Sequence, residues 1–147
     1  RDNGRTPMQW NAEDNAGFTS GTPWIEVNSN YLAINVESAI EDQDSVLSHY
    51  KKLIEYRKTL PVITKGTFTP LLEDHEKVFA YLRKTEDEQI LVFSNFSAES
   101  QRVELPPELQ NCRVEDLLHN YDKLDHLAKE ITLKPYEPFS VKLIGVC

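Results

Sequence analysis

The sequence predicts a mainly β protein: an antiparallel β-sandwich, preceded by an irregular segment and one long helix. Three observations carry that reading. The apolar residues follow a helical period over residues 44–60 and an alternating one after Gly66. The second half holds several short alternating runs separated by turn residues, the pattern of an antiparallel sandwich. The first 43 residues follow neither period, yet carry large apolar side chains.

That opening segment begins Arg1-Asp2-Asn3-Gly4-Arg5-Thr6-Pro7-Met8-Gln9-Trp10. Gly4 and Pro7 forbid a regular helix or strand across its middle, so it reads as a shaped loop. Met8 and Trp10 are expected to anchor it as apolar groups. Residues 11–43 are rich in Asn, Asp, Gly, Ser, Thr and Pro, with Phe18, Trp24, Ile25, Val27 and Tyr31 between them. Disorder goes with low hydrophobicity, so this is a long excursion packed against something larger. Ile34, Val36 and Ile40 predict one short helical turn, with Asn35 as its N-cap.

Residues 44–60 are the clearest helix. Val46, Leu47, Tyr50, Leu53 and Ile54 form one apolar stripe. Asp44 is the expected N-cap, Lys51, Lys52, Arg57 and Lys58 suit the negative end of the dipole, and Pro61 stops continuation. Strands are then predicted over 67–73, 78–85, 89–95, 100–105, 113–118, 131–133 and 139–145, with Thr85–Glu88 as a polar turn. Phe79, Tyr81, Leu91 and Phe93 are expected in the core, and Phe139, Val141 and Leu143 alternate against Ser140, Lys142 and Ile144. About 80 residues suffice for a small independent core.

Composition narrows the function. A net charge of −8 leaves no basic surplus for nucleic acid or an anionic membrane. No apolar run approaches the ~20 residues that span a bilayer. Cys112 and Cys147 do not make a disulfide framework; Cys147 reads as a free thiol, and a reducing cytoplasm is the simplest setting. His49, His75, His119 and His126 lack metal-ligand spacing, and Asp122 and Asp125 form no EF-hand pattern, so neither metal nor cofactor is expected. His119 reads as a satisfied structural histidine. Asn95-Phe96-Ser97 matches a glycosylation sequon, which matters only in a secreted protein. Glu37, Glu41, Asp42 and Asp44 read as a solvated face around a helix start.

The opening motif, with AGFTSGTPW at 16–24, VNSNY at 27–31, INVESAIEDQDSVLSHYKKLIEYRK at 34–58 and LLHNYDKL at 117–124, resembles glycoside hydrolase family 13. The likeness is to its oligo-1,6-glucosidase, dextran glucosidase and trehalose-6-phosphate hydrolase branch. It implies that residues 1–65 are the end of a (β/α)₈ catalytic barrel and that 66–147 are the C-terminal β domain. The helix at 44–60 would be the last barrel helix. Retaining enzymes of this kind use a carboxylate nucleophile and a carboxylic acid/base about 5–5.5 Å apart. The family takes both from earlier barrel strands, and the patterns that flank them are not found here. The chain alone is therefore expected to be non-catalytic. Arg1 matches the arginine that lines the family's glucose pocket, where its rigid donors hold a carboxylate and a sugar hydroxyl together. Arg5 is expected to pin the loop through backbone carbonyls. Trp10 and Trp24 are either sugar-stacking rings or buried anchors. The implied partners are an oligosaccharide and the rest of the barrel. Without that barrel, Phe18, Trp24, Tyr31 and one side of the helix lack a cover, unless the segment folds back or two chains form a homodimer. A third reading, a carbohydrate-binding module in its own right, requires aromatic rings displayed on one exposed strand face.

Overall fold

The computed structural model describes residues 2–145. The chain divides into two compact units, Arg1–Thr59 and Leu60–Cys147.

The first unit is mostly irregular. Three short 3₁₀ turns precede helices α1 (Val36–Glu41) and α2 (Val46–Thr59). Asn35 caps α1 as the sequence predicts. Its Oδ1 accepts from Ser38 N at 2.9 Å, its Nδ2 donates to Tyr31 O at 2.9 Å, and the residue is buried. The cap of α2 differs from expectation. Asp44 gives its N–H to Asp42 Oδ1 in a turn before the helix, and Ser45 Oγ accepts from Ser48 N at 3.1 Å. That hydroxyl also donates to Ala39 O, tying the two helices together. The smaller hydroxyl can serve both ends; a carboxylate could not donate. Helix α2 buries none of its residues: along its apolar stripe Val46 is 74%, Tyr50 60% and Ile54 51% exposed.

The second unit opens with a short helix the sequence reading missed, α3 (Pro61–Lys65). Pro61 ends α2, but it also stands in the first turn of α3, where its missing N–H costs nothing. Seven strands follow: β1 (Thr67–Leu71), β2 (Val78–Lys84), β3 (Gln89–Asn95), β4 (Gln101–Glu104), β5 (Arg113–His119), β6 (Glu130–Leu133) and β7 (Pro138–Ile144). All seven predicted strands are present. One antiparallel sheet has the order β1-β2-β3-β7-β5, and β4 and β6 form a second antiparallel pair.

The core lies between the two sheets. Leu91, Phe93, Val141 and Leu133 are at most 1% exposed, and Phe93 stacks on its register partner Phe139 with centroids 5.2 Å apart. Phe79 and Tyr81 do not join them. The inward positions of β2 are Val78 and Ala80, because small Ala80 faces Phe93 across the ladder. The alternation then turns Phe79 and Tyr81 to the other face, since a strand reverses its side chains at every residue. That outer face is covered at one end by α3. Val62 is fully buried there, and Arg83 donates to Val62 O and Ile63 O. This packing sets α3 within the second compact unit, which begins at Leu60. Cys112 is buried and is not a free thiol; Cys147 lies outside the described residues.

Candidate functional site

The opening loop is held by amides. Gln9 sits at its centre: Nε2 donates to Asn30 Oδ1 at 3.1 Å and to Ile34 O. The main chain beside it is stitched on two sides. Val36 N donates to Gln9 O at 2.9 Å and Glu37 N to Trp10 O at 3.0 Å, so the opening segment takes up two orphan donors of α1. Trp10 N and Asn11 N both donate to Ala16 O. The turn that presents that carbonyl is strained: Asn15, Ala16 and Gly17 all have positive φ, and Ala16 is fully buried. Left-handed backbone at a β-carbon-bearing residue persists only where its surroundings fix it. Asn15 Nδ2 supplies part of that fixing by donating to Thr19 O and Gly21 O, each at 3.1 Å. Gly17 is required by its φ of 65° and by Asn11, whose Oδ1 would stand 2.5 Å from an added Cβ.

Arg1, the expected substrate residue, lies outside the described residues. Arg5 is exposed, and among the described residues the pinning of the loop falls to Gln9 rather than to the Arg5 guanidinium. A guanidinium is well hydrated at a surface, whereas a half-buried amide can donate to two acceptors at once. Met8 (51% exposed) and Trp10 (50% exposed) are not buried anchors; that role belongs to Pro7, which is buried. Trp24 is 98% exposed and Phe18 is half-exposed. Sequence reading passed over Gln9, Asn15 and Asn30. Their signal was available: a long segment without helix or sheet must satisfy its main chain with side-chain amides.

Several titratable groups of the second unit are held in pairs. His119 Nδ1 lies 2.6 Å from Asp116 Oδ2, as expected of a satisfied histidine, while Asp116 Oδ1 is buried without a partner beside the β5 bulge. His126 pairs with Asp125. Lys134 pairs with Asp122 at 2.6 Å and sits over the Tyr121 ring. That ammonium holds the Asp122 carboxyl below its usual range, and Lys77 does the same for Glu99. The imidazole of His126 lowers Asp125 in the same way. Among the described residues no group of three His, Cys, Asp or Glu could hold a metal ion, and no helix is long and apolar enough to cross a membrane. Asn95, the sequon residue, is buried with its amide fully engaged.

Two family models match, end to end. Residues 1–66 match the α-amylase catalytic domain, and residues 68–139 match the maltogenic amylase C-terminal domain. The chain is 48% identical to the oligo-1,6-glucosidase of Bacillus cereus over 97% of its own length and 26% of that protein's. It superposes on the trehalose-6-phosphate hydrolase of Bacillus licheniformis with a TM-score of 0.85 and 44% identity, covering 98% of this chain and 26% of that one. The isomaltulose synthase of Erwinia rhapontici NX5 gives 0.82 at 38% identity, with 98% and 26% covered. The chain thus spans about a quarter of the proteins it matches, and from its opening motif to its last strand it belongs to glycoside hydrolase family 13, the α-amylase superfamily.

Proposed function

We propose that the chain is the C-terminal part of an exo-acting α-glucosidase that removes terminal glucose from short oligosaccharides, as an oligo-1,6-glucosidase does. The observation that carries this is the 48% identity to the Bacillus cereus enzyme along nearly the whole chain. In this reading residues 1–65 complete the catalytic barrel and 66–147 form a structural β domain. The catalytic carboxylates belong to the rest of the barrel, and the chain alone is non-catalytic. Arg1 binds substrate by pairing with a barrel carboxylate and a sugar hydroxyl. The exposed stripe of α2, with Phe18 and Trp24, supports an apolar partner for the first unit: the remainder of the barrel, or a second copy in a homodimer. The setting is cytoplasmic. A second reading, trehalose-6-phosphate hydrolase, is favoured by the TM-score of 0.85 to the Bacillus licheniformis enzyme.

The test is kinetic. The isolated chain should turn over neither p-nitrophenyl α-glucoside nor isomaltose nor trehalose 6-phosphate, while the parent hydrolyses one of the two natural sugars. In the parent, Arg1→Ala removes a charge-assisted contact worth ~1.5–3 kcal/mol, so kcat/KM falls roughly tenfold to a hundredfold. Unchanged kinetics, or turnover by the isolated chain, would refute the assignment.

A further inference from the structure

We propose that the β domain carries its own binding site for a neutral gluco-oligosaccharide, at the turn between β1 and β2. The class of sugar rests on the α-glucosidase reading; the site rests on what surrounds that turn. Three aromatic rings stand in a row on the outer face of the sheet. Phe68 and Tyr81 have centroids 5.1 Å apart, Tyr81 and Phe79 5.5 Å, and Phe68 and Phe79 are each about half exposed. The C–H faces of a glucose ring carry partial positive charge and stack on the negative face of an aromatic ring. The rings are tilted by 35° and 49° to one another, so they form a curved apolar strip rather than a flat platform.

The row runs into a hollow of about 330 Å³, at the small end of the ligand-pocket range of roughly 300–1,000 Å³. Phe79 and Phe96 line it, with Glu73, His75, Glu76 and Lys77 of the turn. The polar groups are placed for hydroxyls. His75 Nδ1 accepts from Lys77 N and Val78 N, which leaves Nε2 as the ring position open to a ligand. Glu73 and Glu76 are exposed acceptors. Lys77 is paired with Glu99, which removes the one cation that would attract phosphate. The remaining charge favours a neutral sugar over a phosphorylated one. A protein-docking core, by contrast, is depleted in acidic side chains.

Titration of the full chain with isomaltotriose and maltotriose, read by saturation-transfer NMR, tests the site. Binding of at least one trisaccharide is expected, made about fivefold weaker or more by Phe79→Ala, whose half-exposed ring supports no core packing. Trp24→Ala should leave binding unchanged, and trehalose 6-phosphate should not compete for the site. The idea is overturned by a folded chain that binds neither trisaccharide, by Phe79→Ala binding as well as the original, or by loss of binding in Trp24→Ala instead. Hydrolysis by the parent is measured separately, so failure here leaves the catalytic assignment standing, and failure there leaves the stacking result to be read alone.

Discussion

Asn95→Ala should destabilise the β domain more than any surface change in its neighbourhood. Asn95 is 3% exposed at the end of β3. Its Nδ2 donates to Glu99 O and to Lys134 O, both at 2.8 Å. Its Oδ1 accepts from Ser97 N at 3.0 Å and lies 2.8 Å from Ser97 Oγ. One side chain therefore ties the turn after β3 to the turn before β7. Four hydrogen bonds at about 1 kcal/mol each would give about 4 kcal/mol, and water reaching the outer partners brings this to about 2–4 kcal/mol. A domain of this size shifts its Tm by about 4–8 °C per kcal/mol, so a drop of about 8–32 °C is expected. Thermal melts of the full chain followed by circular dichroism measure it, with Phe96→Ala as the control. Phe96 is 71% exposed, and its removal should stay within about 0.5 kcal/mol. A fall below about 3 °C for Asn95→Ala would show that the knot is dispensable. The same geometry disqualifies the sequon, because a buried amide with both protons engaged offers nothing to a glycosyl donor.

Residues 60–147 alone should fold with one cooperative transition, since every buried residue of the core cluster lies between Val78 and Leu143; an unfolded far-UV spectrum for that piece would contradict this. Acid should weaken the β domain through Asp122, Asp125 and Glu99, held below their usual values by hydrogen bonds to Lys134, His126 and Lys77. Depressed carboxyls contribute stability above the unfolded pKa and lose it as pH falls through the folded one, from about pH 5 downward. Lys134→Met should therefore lower Tm at neutral pH and leave it unchanged at strongly acid pH, which flattens the acid limb of the Tm–pH curve; an identical acid limb would refute the linkage.

Element type was legible because it depends on short-range patterns. The seven strands follow from alternation, and α2 from a stripe repeating every three to four residues. What failed were choices between chemically similar neighbours. Asp44 and Ser45 are both good caps, and the winner was decided by Ala39 O, six residues back in sequence from the serine it accepts from. Phe79 and Tyr81 have the bulk of core residues, but register is a property of the pair, and Ala80 opposite Phe93 fixed the inward face of β2. Pro61 reads as a stop in one direction and a start in the other, so α3 was hidden behind the end of α2.

The opening loop shows the other boundary of sequence reading. Its charged residues, Arg1 and Arg5, attract attention because charge announces function, yet the described geometry is governed by uncharged amides. Gln9 reaches Asn30 and Ile34, Asn15 reaches Thr19 and Gly21, and Asn35 reaches Tyr31 and Ser38. Each span is set by three-dimensional closure, so no fixed spacing reveals it. The consequence is a division of labour within one motif. The amides and the strained 15–17 turn set the path of the main chain, while the Arg5 guanidinium is exposed. A loop built this way can change what it binds by exchanging its charged residues without losing its shape.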